Sequence, residues 1–101
     1  MKKNLYAVRD NLTMTCEVPF SAETDIKALQ IILTEINAAF AEFEAKKTFV
    51  NPSDQLSTRS LYFLGTIEDG YIEPNRVKIC DMLDVSSKYD NLLLEFQKEN
   101  N

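Results

Sequence analysis

Cations and aromatic rings interleave in three stretches of this chain: Lys3, Tyr6 and Arg9; Arg59 and Tyr62; Tyr71, Arg76 and Lys78. On a β-sheet, that pattern suits single-stranded nucleic acid, because rings stack on bases while Lys and Arg follow the phosphates. The residues assigned to such a surface are Lys3, Arg9, Arg59, Tyr62, Arg76 and Lys78. The competing reading is plainer: Tyr6 and Tyr62 pack in or around the core, and the cations are ordinary surface charges.

Other chemistries find less to work with. The chain has no histidine, which is the commonest general base and a frequent zinc ligand. Glu42 and Glu44 are two residues apart and leave a helix on different sides. Asp81 and Asp84 are better spaced but lack a partner carboxylate or histidine. Ser86-Ser87 has no activating base and reads as a helix cap. Gly65 and Gly70 make no phosphate cradle. Cys16 and Cys80 belong to no CxxC pair and read as two buried free thiols. The expectation is therefore no enzyme, no cofactor, no metal and no small-molecule substrate.

The elements that must position the six residues follow from periodicity. Residues 4–9 and 12–18 read as two strands, the second alternating Leu12, Met14, Cys16 and Val18 against Thr13, Thr15 and Glu17. Asp10-Asn11 suits the turn between them. A two-residue loop buries Leu5 and Ala7, whereas a three-residue loop buries Tyr6 and Val8; the larger side chains favour the second register. That register groups Lys3 and Arg9 with Thr13, Thr15 and Glu17 on the wet side. Pro19 has no N–H to donate and is expected to end the ladder.

A long helix follows over about 24–47, capped by Ser21 or Thr24. Ile26, Leu29, Leu33, Ile36, Phe40 and Phe43 form its apolar stripe, widened by Ala28, Ile32 and Ala39. Residues 48–59 read as a loop with a turn at Asn51-Pro52-Ser53-Asp54. Asp69-Gly70 then joins the strands of a second hairpin, 60–67 and 71–73, in which Gly65 marks a bulge or a close backbone approach. Residues 76–80 fit either a short strand or the first turn of a helix. Ser86 or Ser87 caps a final helix, 87–98, with Tyr89, Leu92, Leu93 and Phe96 on one side.

The fold class expected is α+β: a small antiparallel sheet of two β-hairpins, one long helix across a face, and a C-terminal helix. Burial is expected to be highest at Met14, Cys16, Leu29, Leu33, Ile36, Phe40 and Phe63. At 101 residues the chain is a single domain, 1–101. No stretch is long and apolar enough for a membrane span, which points to the cytosol. Ile31, Ala38 and Ala41 carry apolar character round the long helix, and this surplus predicts a homodimer.

Net charge is −5, which opposes a generic phosphate-backbone binder. The charge is uneven, however. Residues 1–20 carry a net +1 and residues 81–101 a net −3, so a basic sheet surface is compatible with an acidic chain.

The order NLYAVRD, then PFSAETDIKAL, then NPSDQLSTRSLYFLGTIEDGYI resembles the small non-structural protein of gokushovirus-type microviruses, single-stranded DNA phages. The matching features are Tyr6 and Asp10, Pro19-Phe20, Thr24-Asp25 and Ala28, Pro52 with Asp54, and Leu61 to Gly65 with Asp69-Gly70. They fall within residues 3–80. Two features depart from the family pattern: a longer helix and loop over Ile36 to Val50, and an acidic final segment. Leu29-Gln30 also stands where the family has a basic residue. The resemblance implies single-stranded DNA binding during genome synthesis or packaging, in the cytoplasm of a bacterial host, and it supplies no catalytic residues. A different class competes: a non-enzymatic protein–protein accessory module, homodimeric, acting on a phage or host partner.

Overall fold

A computed structural model describes residues 2–46 and 51–99. The chain runs β1 (Lys3–Asp10), β2 (Thr15–Cys16), β3 (Phe20–Ala22), α1 (Asp25–Lys46), α2 (Pro52–Leu56), β4 (Arg59–Glu68), β5 (Tyr71–Asp81) and α3 (Val85–Glu99). All five strands form one antiparallel sheet, ordered β2-β1-β4-β5, with β3 also pairing β1. This is the α+β architecture the periodicity predicts.

The centre of the sheet is β1. It pairs β4 from Lys3↔Ile67 to Asp10↔Arg59 on one side, and β2 and β3 on the other. Tyr6 and Val8 are buried, as the larger-side-chain argument requires, but Ala7 is buried too. A strand with neighbours on both edges has little wet backbone, so its small outward residue disappears beneath adjacent side chains. Tyr6 stacks on Phe20 with centroids 5.7 Å apart and meets Phe63 edge-on at 5.8 Å.

The expected strand 12–18 is mostly a turn. The Asp10 carboxylate accepts from the Leu12 and Thr13 amides at 2.9 and 3.3 Å, and the Met14 amide donates to the Asp10 carbonyl at 2.9 Å. These bonds close a four-residue loop, Asn11 to Met14, in place of the expected three-residue one. Met14 takes φ 62°, a left-handed conformation uncommon for a non-glycine residue. Thr15 and Cys16 then pair with β1, and the Glu17 amide adds one bond to the Val8 carbonyl at 2.8 Å. Leu12, Met14, Cys16 and Val18 are consequently exposed, not buried. Nor does Pro19 end the ladder: pairing with β1 resumes at Phe20, directly after Val18 and Pro19.

Thr24 is the N-cap of α1, its Oγ1 accepting from the Lys27 amide at 3.2 Å, whereas Ser21 lies in β3. Ala28, Leu29 and Ile32 are buried; Ile26, Leu33, Ile36, Phe40 and Phe43 are half-buried. The apolar stripe thus faces the core best in its first half. Lys47 and residues 48–50 lie outside the described residues. In place of the expected loop, 52–56 form a short helix whose N-cap, Asn51, accepts from the Ser53 amide at 3.0 Å.

The second hairpin is longer than expected. Asp69 and Gly70 both have positive φ, 51° and 82°, as the tight turn between twisted strands demands. Residues 76–80 are strand, since β5 continues to Asp81 and pairs Tyr62↔Lys78 and Leu61↔Cys80. Gly65 is both a bulge and a close approach: the register shifts beside it, and an added Cβ would meet the Glu73 carbonyl oxygen at 2.2 Å. A 3-10 turn, Met82–Asp84, leads directly into α3 at Val85. Ser86 and Ser87 therefore sit inside the first turn of α3 and do not cap it. Cys80 is half-buried and Cys16 exposed; both are free thiols, so the expected pair of buried thiols is not found.

The core joins Tyr6, Val8 and Leu61 of the sheet with Ala22, Ala28, Leu29, Ile32, Met82 and Val85. Phe63, Leu33, Ile36, Tyr89 and Leu92 pack around it. Both long helices therefore cover the face that carries Tyr6, Val8, Leu61 and Phe63. The molecule measures 42 × 37 × 19 Å, and its short axis is the thickness of one sheet plus one helix layer. Among the described residues, no helix is long and apolar enough to cross a membrane.

Candidate nucleic-acid interface

Period-two alternation puts Lys3, Arg9, Tyr62, Arg76 and Lys78 on the sheet face turned away from the helices. The register fixes their neighbours: Ala7 lies opposite Tyr62, and Tyr62 opposite Lys78. Tyr62, on the second of the three adjacent strands β1, β4 and β5, meets a cation from each side. Arg9 Nη1 donates to the Tyr62 hydroxyl at 3.4 Å, and its guanidinium carbon lies 5.7 Å from the ring centroid. The Arg76 guanidinium lies 5.0 Å from the same centroid.

The electrostatics follow the geometry. The hydrogen bond from Arg9, reinforced by Arg76, lowers the Tyr62 phenol below its ordinary pKa against a smaller opposing effect of desolvation. Arg9 also reaches the Met14 sulfur at 3.0 Å. Neither Arg9 nor Arg76 forms a carboxylate pair among the described residues. Lys78 differs: its ammonium pairs with Asp81 at 2.7 Å, which raises the lysine pKa and lowers that of the aspartate. Asp81 also accepts from the Ser60 hydroxyl at 2.9 Å, and that hydroxyl accepts from Asn11 Nδ2 at 3.0 Å.

Arg59 is not part of this face. It pairs with Glu17 at 3.1 Å and lines a cleft of about 140 Å³ between the sheet, α1 and α2, with Val8, Ile32 and Ile36. Its register partner is Asp10, which places it in the same alternation as Leu61 and Phe63. Lys3 shares the face but lies six residues from Arg9 along β1, roughly 20 Å at the rise of an extended strand. Tyr6, whose cation-flanked position suggested stacking, is buried in the core.

Two participants were not legible. Met14 takes the Arg9 guanidinium because the turn swings it outward, against an alternation that assigns it to the core. Asp81 neutralises Lys78 at a spacing of three, which only a strand bulged at Ile79 brings within reach. Among the described residues, no three metal-binding side chains converge. No family model, no curated protein and no solved structure matches this chain.

Proposed function

We propose that this chain is a small non-enzymatic phage protein that binds single-stranded DNA on the open face of its sheet, in the cytoplasm of the host. The observation that supports this reading is the pair of guanidiniums, Arg9 and Arg76, gathered on Tyr62 with no carboxylate partner among the described residues. Cations held in place and left without a counter-charge attract phosphates, and arginine binds them with a planar fork. The order of sequence features shared with the microvirus protein supports the assignment to genome synthesis or packaging.

Fluorescence anisotropy of a labelled single-stranded oligonucleotide tests the reading. Weak binding at low salt that disappears at physiological salt is expected, because few cations act against a net charge of −5. Absence of binding at low salt rejects it.

An accessory protein–protein module, homodimeric, is the second reading. The exposed apolar side chains of Val18 and Ile31, which line one surface cleft, favour it, since apolar side chains gathered in a patch mark protein contacts. Light scattering at micromolar concentration discriminates: a monomer of 11.6 kDa rejects the homodimer.

A further inference from the structure

We infer that Arg9 and Arg76 form a two-phosphate clip, that Tyr62 is the pedestal holding them, and that a bound strand crosses the sheet from β1 to β5. The inference rests on the single-stranded DNA reading of this face and specifies how the strand would lie.

Tyr62 is the only tyrosine of the face placed among the candidate contacts, and an exposed ring would ordinarily be the stacking platform. Here the ring is already occupied. Arg76 lies over it at 5.0 Å and Arg9 at 5.7 Å, so a base has to displace a guanidinium to reach it. Each cation is held by the quadrupole of the ring, and Arg9 also by the hydroxyl. Their hydrogen-bond donors are thus arranged before any ligand arrives, which lowers the ordering cost of binding.

The spacing fixes the direction. Two distances to one ring put the guanidinium carbons within about 11 Å of each other. Strands are about 4.8 Å apart, so Arg9 on β1 and Arg76 on β5 face each other across β4. A line through them crosses the strands. Lys3 lies roughly 20 Å off that line along β1, and Lys78 is committed to Asp81 at 2.7 Å. Two cations are therefore available to the track, whereas a path along β1 would use Lys3 and omit Arg76.

The test is the salt dependence of affinity for a twelve-residue oligothymidylate, measured on the intact chain. A single strand contributes a slope of about −0.7 in log K against log salt for each phosphate neutralised, so the clip gives about −1.4. Arg9→Gln and Arg76→Gln should each weaken binding about tenfold and bring the slope to about −0.7. Lys3→Gln should leave both unchanged. Tyr62→Ala should weaken binding about tenfold with the slope kept, because the charges remain but their positions are lost. Tyr62→Phe should restore most of the affinity. An abasic strand of equal length should bind as well as oligothymidylate.

Binding that survives both arginine substitutions, or that loses equal slope with Lys3→Gln, overturns the clip and leaves the DNA reading standing. Loss of binding to the abasic strand alone makes Tyr62 a stacking ring and overturns the pedestal. Failure of the unsubstituted protein to bind any strand at low salt overturns the DNA reading and the clip together. Thermal melting of each variant separates lost fold from lost contact.

Discussion

The Tyr6 hydroxyl, at the end of a fully buried ring, donates to the Asp25 carboxylate at the first turn of α1, 2.5 Å away. One hydrogen bond thus ties the central strand to the start of the long helix, and Asn4 Nδ2 donates to the same hydroxyl at 3.0 Å. Tyr6→Phe keeps the ring packing against Phe20 and Phe63 and removes this tie together with the bond from Asn4. A loss of about 1.5–3 kcal/mol is expected by urea denaturation, the usual range for a hydrogen bond to a charged group.

The same site shapes the alkaline limb of stability. Burial first, then the bond to Asp25, raises the Tyr6 pKa well above its ordinary 10.0. Burial also pushes the Cys80 thiol up, from 9.0 to about 11. In both cases the folded state holds its proton where the unfolded state releases it. Their stabilisation is complete below the unfolded pKa values and is lost as pH rises above about 9 for the thiol and about 10 for the phenol. Urea midpoints from pH 8 to 11 should fall, and Tyr6→Phe should flatten the part above 10.

Gly65 and Gly70 differ in a way that substitution reads directly. At Gly65, φ is 136° and a Cβ would collide with the Glu73 carbonyl, whereas Gly70, at φ 82°, has open space around it. Gly65→Ala should cost at least about 2 kcal/mol, because the backbone of β5 must move. Gly70→Ala should cost about 1 kcal/mol, the ordinary penalty of a left-handed residue with a side chain.

Core truncation orders the helix positions. Leu29 is fully buried and Leu33 only half-buried. Leu29→Ala should cost about 2–5 kcal/mol and Leu33→Ala clearly less. Leu12→Ala, at 77% exposure, should be nearly neutral in the same denaturation assay.

Those three leucines show what the sequence discloses. The α1 stripe is a run of spacings three and four that only a helix satisfies, so its element type and inner face are legible. Leu12 belongs to an alternation equally clear on paper. It fails because the Asp10 carboxylate captures two amides, a local competition that hydrophobic periodicity does not register. The candidate site divides likewise. Arg9, Tyr62, Arg76 and Lys78 meet because strand alternation is simple where the strand type is right. Arg59 falls on the other face, since parity along β4 puts it with Leu61 and Phe63, and Tyr6 is buried because β1 is central. The burial of Tyr6 is the outcome that the larger-side-chain register expects, whereas the place of Arg59 shows only once β4 is seen to begin at Arg59 and not one residue later.

Thiol chemistry gives a probe of this arrangement. Cys16 is exposed and Cys80 half-buried with its thiol pushed up to about 11. At neutral pH a disulfide reagent should titrate one thiol quickly and the second slowly, with both fast in denaturant. Equal fast rates in the native protein would contradict the burial of Cys80.

The pairing Val8↔Leu61 sets an order of events during synthesis. The β4–β5 hairpin is local and closes over a two-residue turn, but β1 must wait for a partner 53 residues further along the chain. At ribosomal rates of about 5–20 residues per second, that wait is about 3–10 s. Throughout it, the strand destined for the centre of the sheet has only the short β2 and β3 segments beside it. Its other edge, with the backbone groups that β4 will take, stays open to any passing strand. β1 is thus enclosed only once β4 has been made, and that interval is when a chaperone has most to protect.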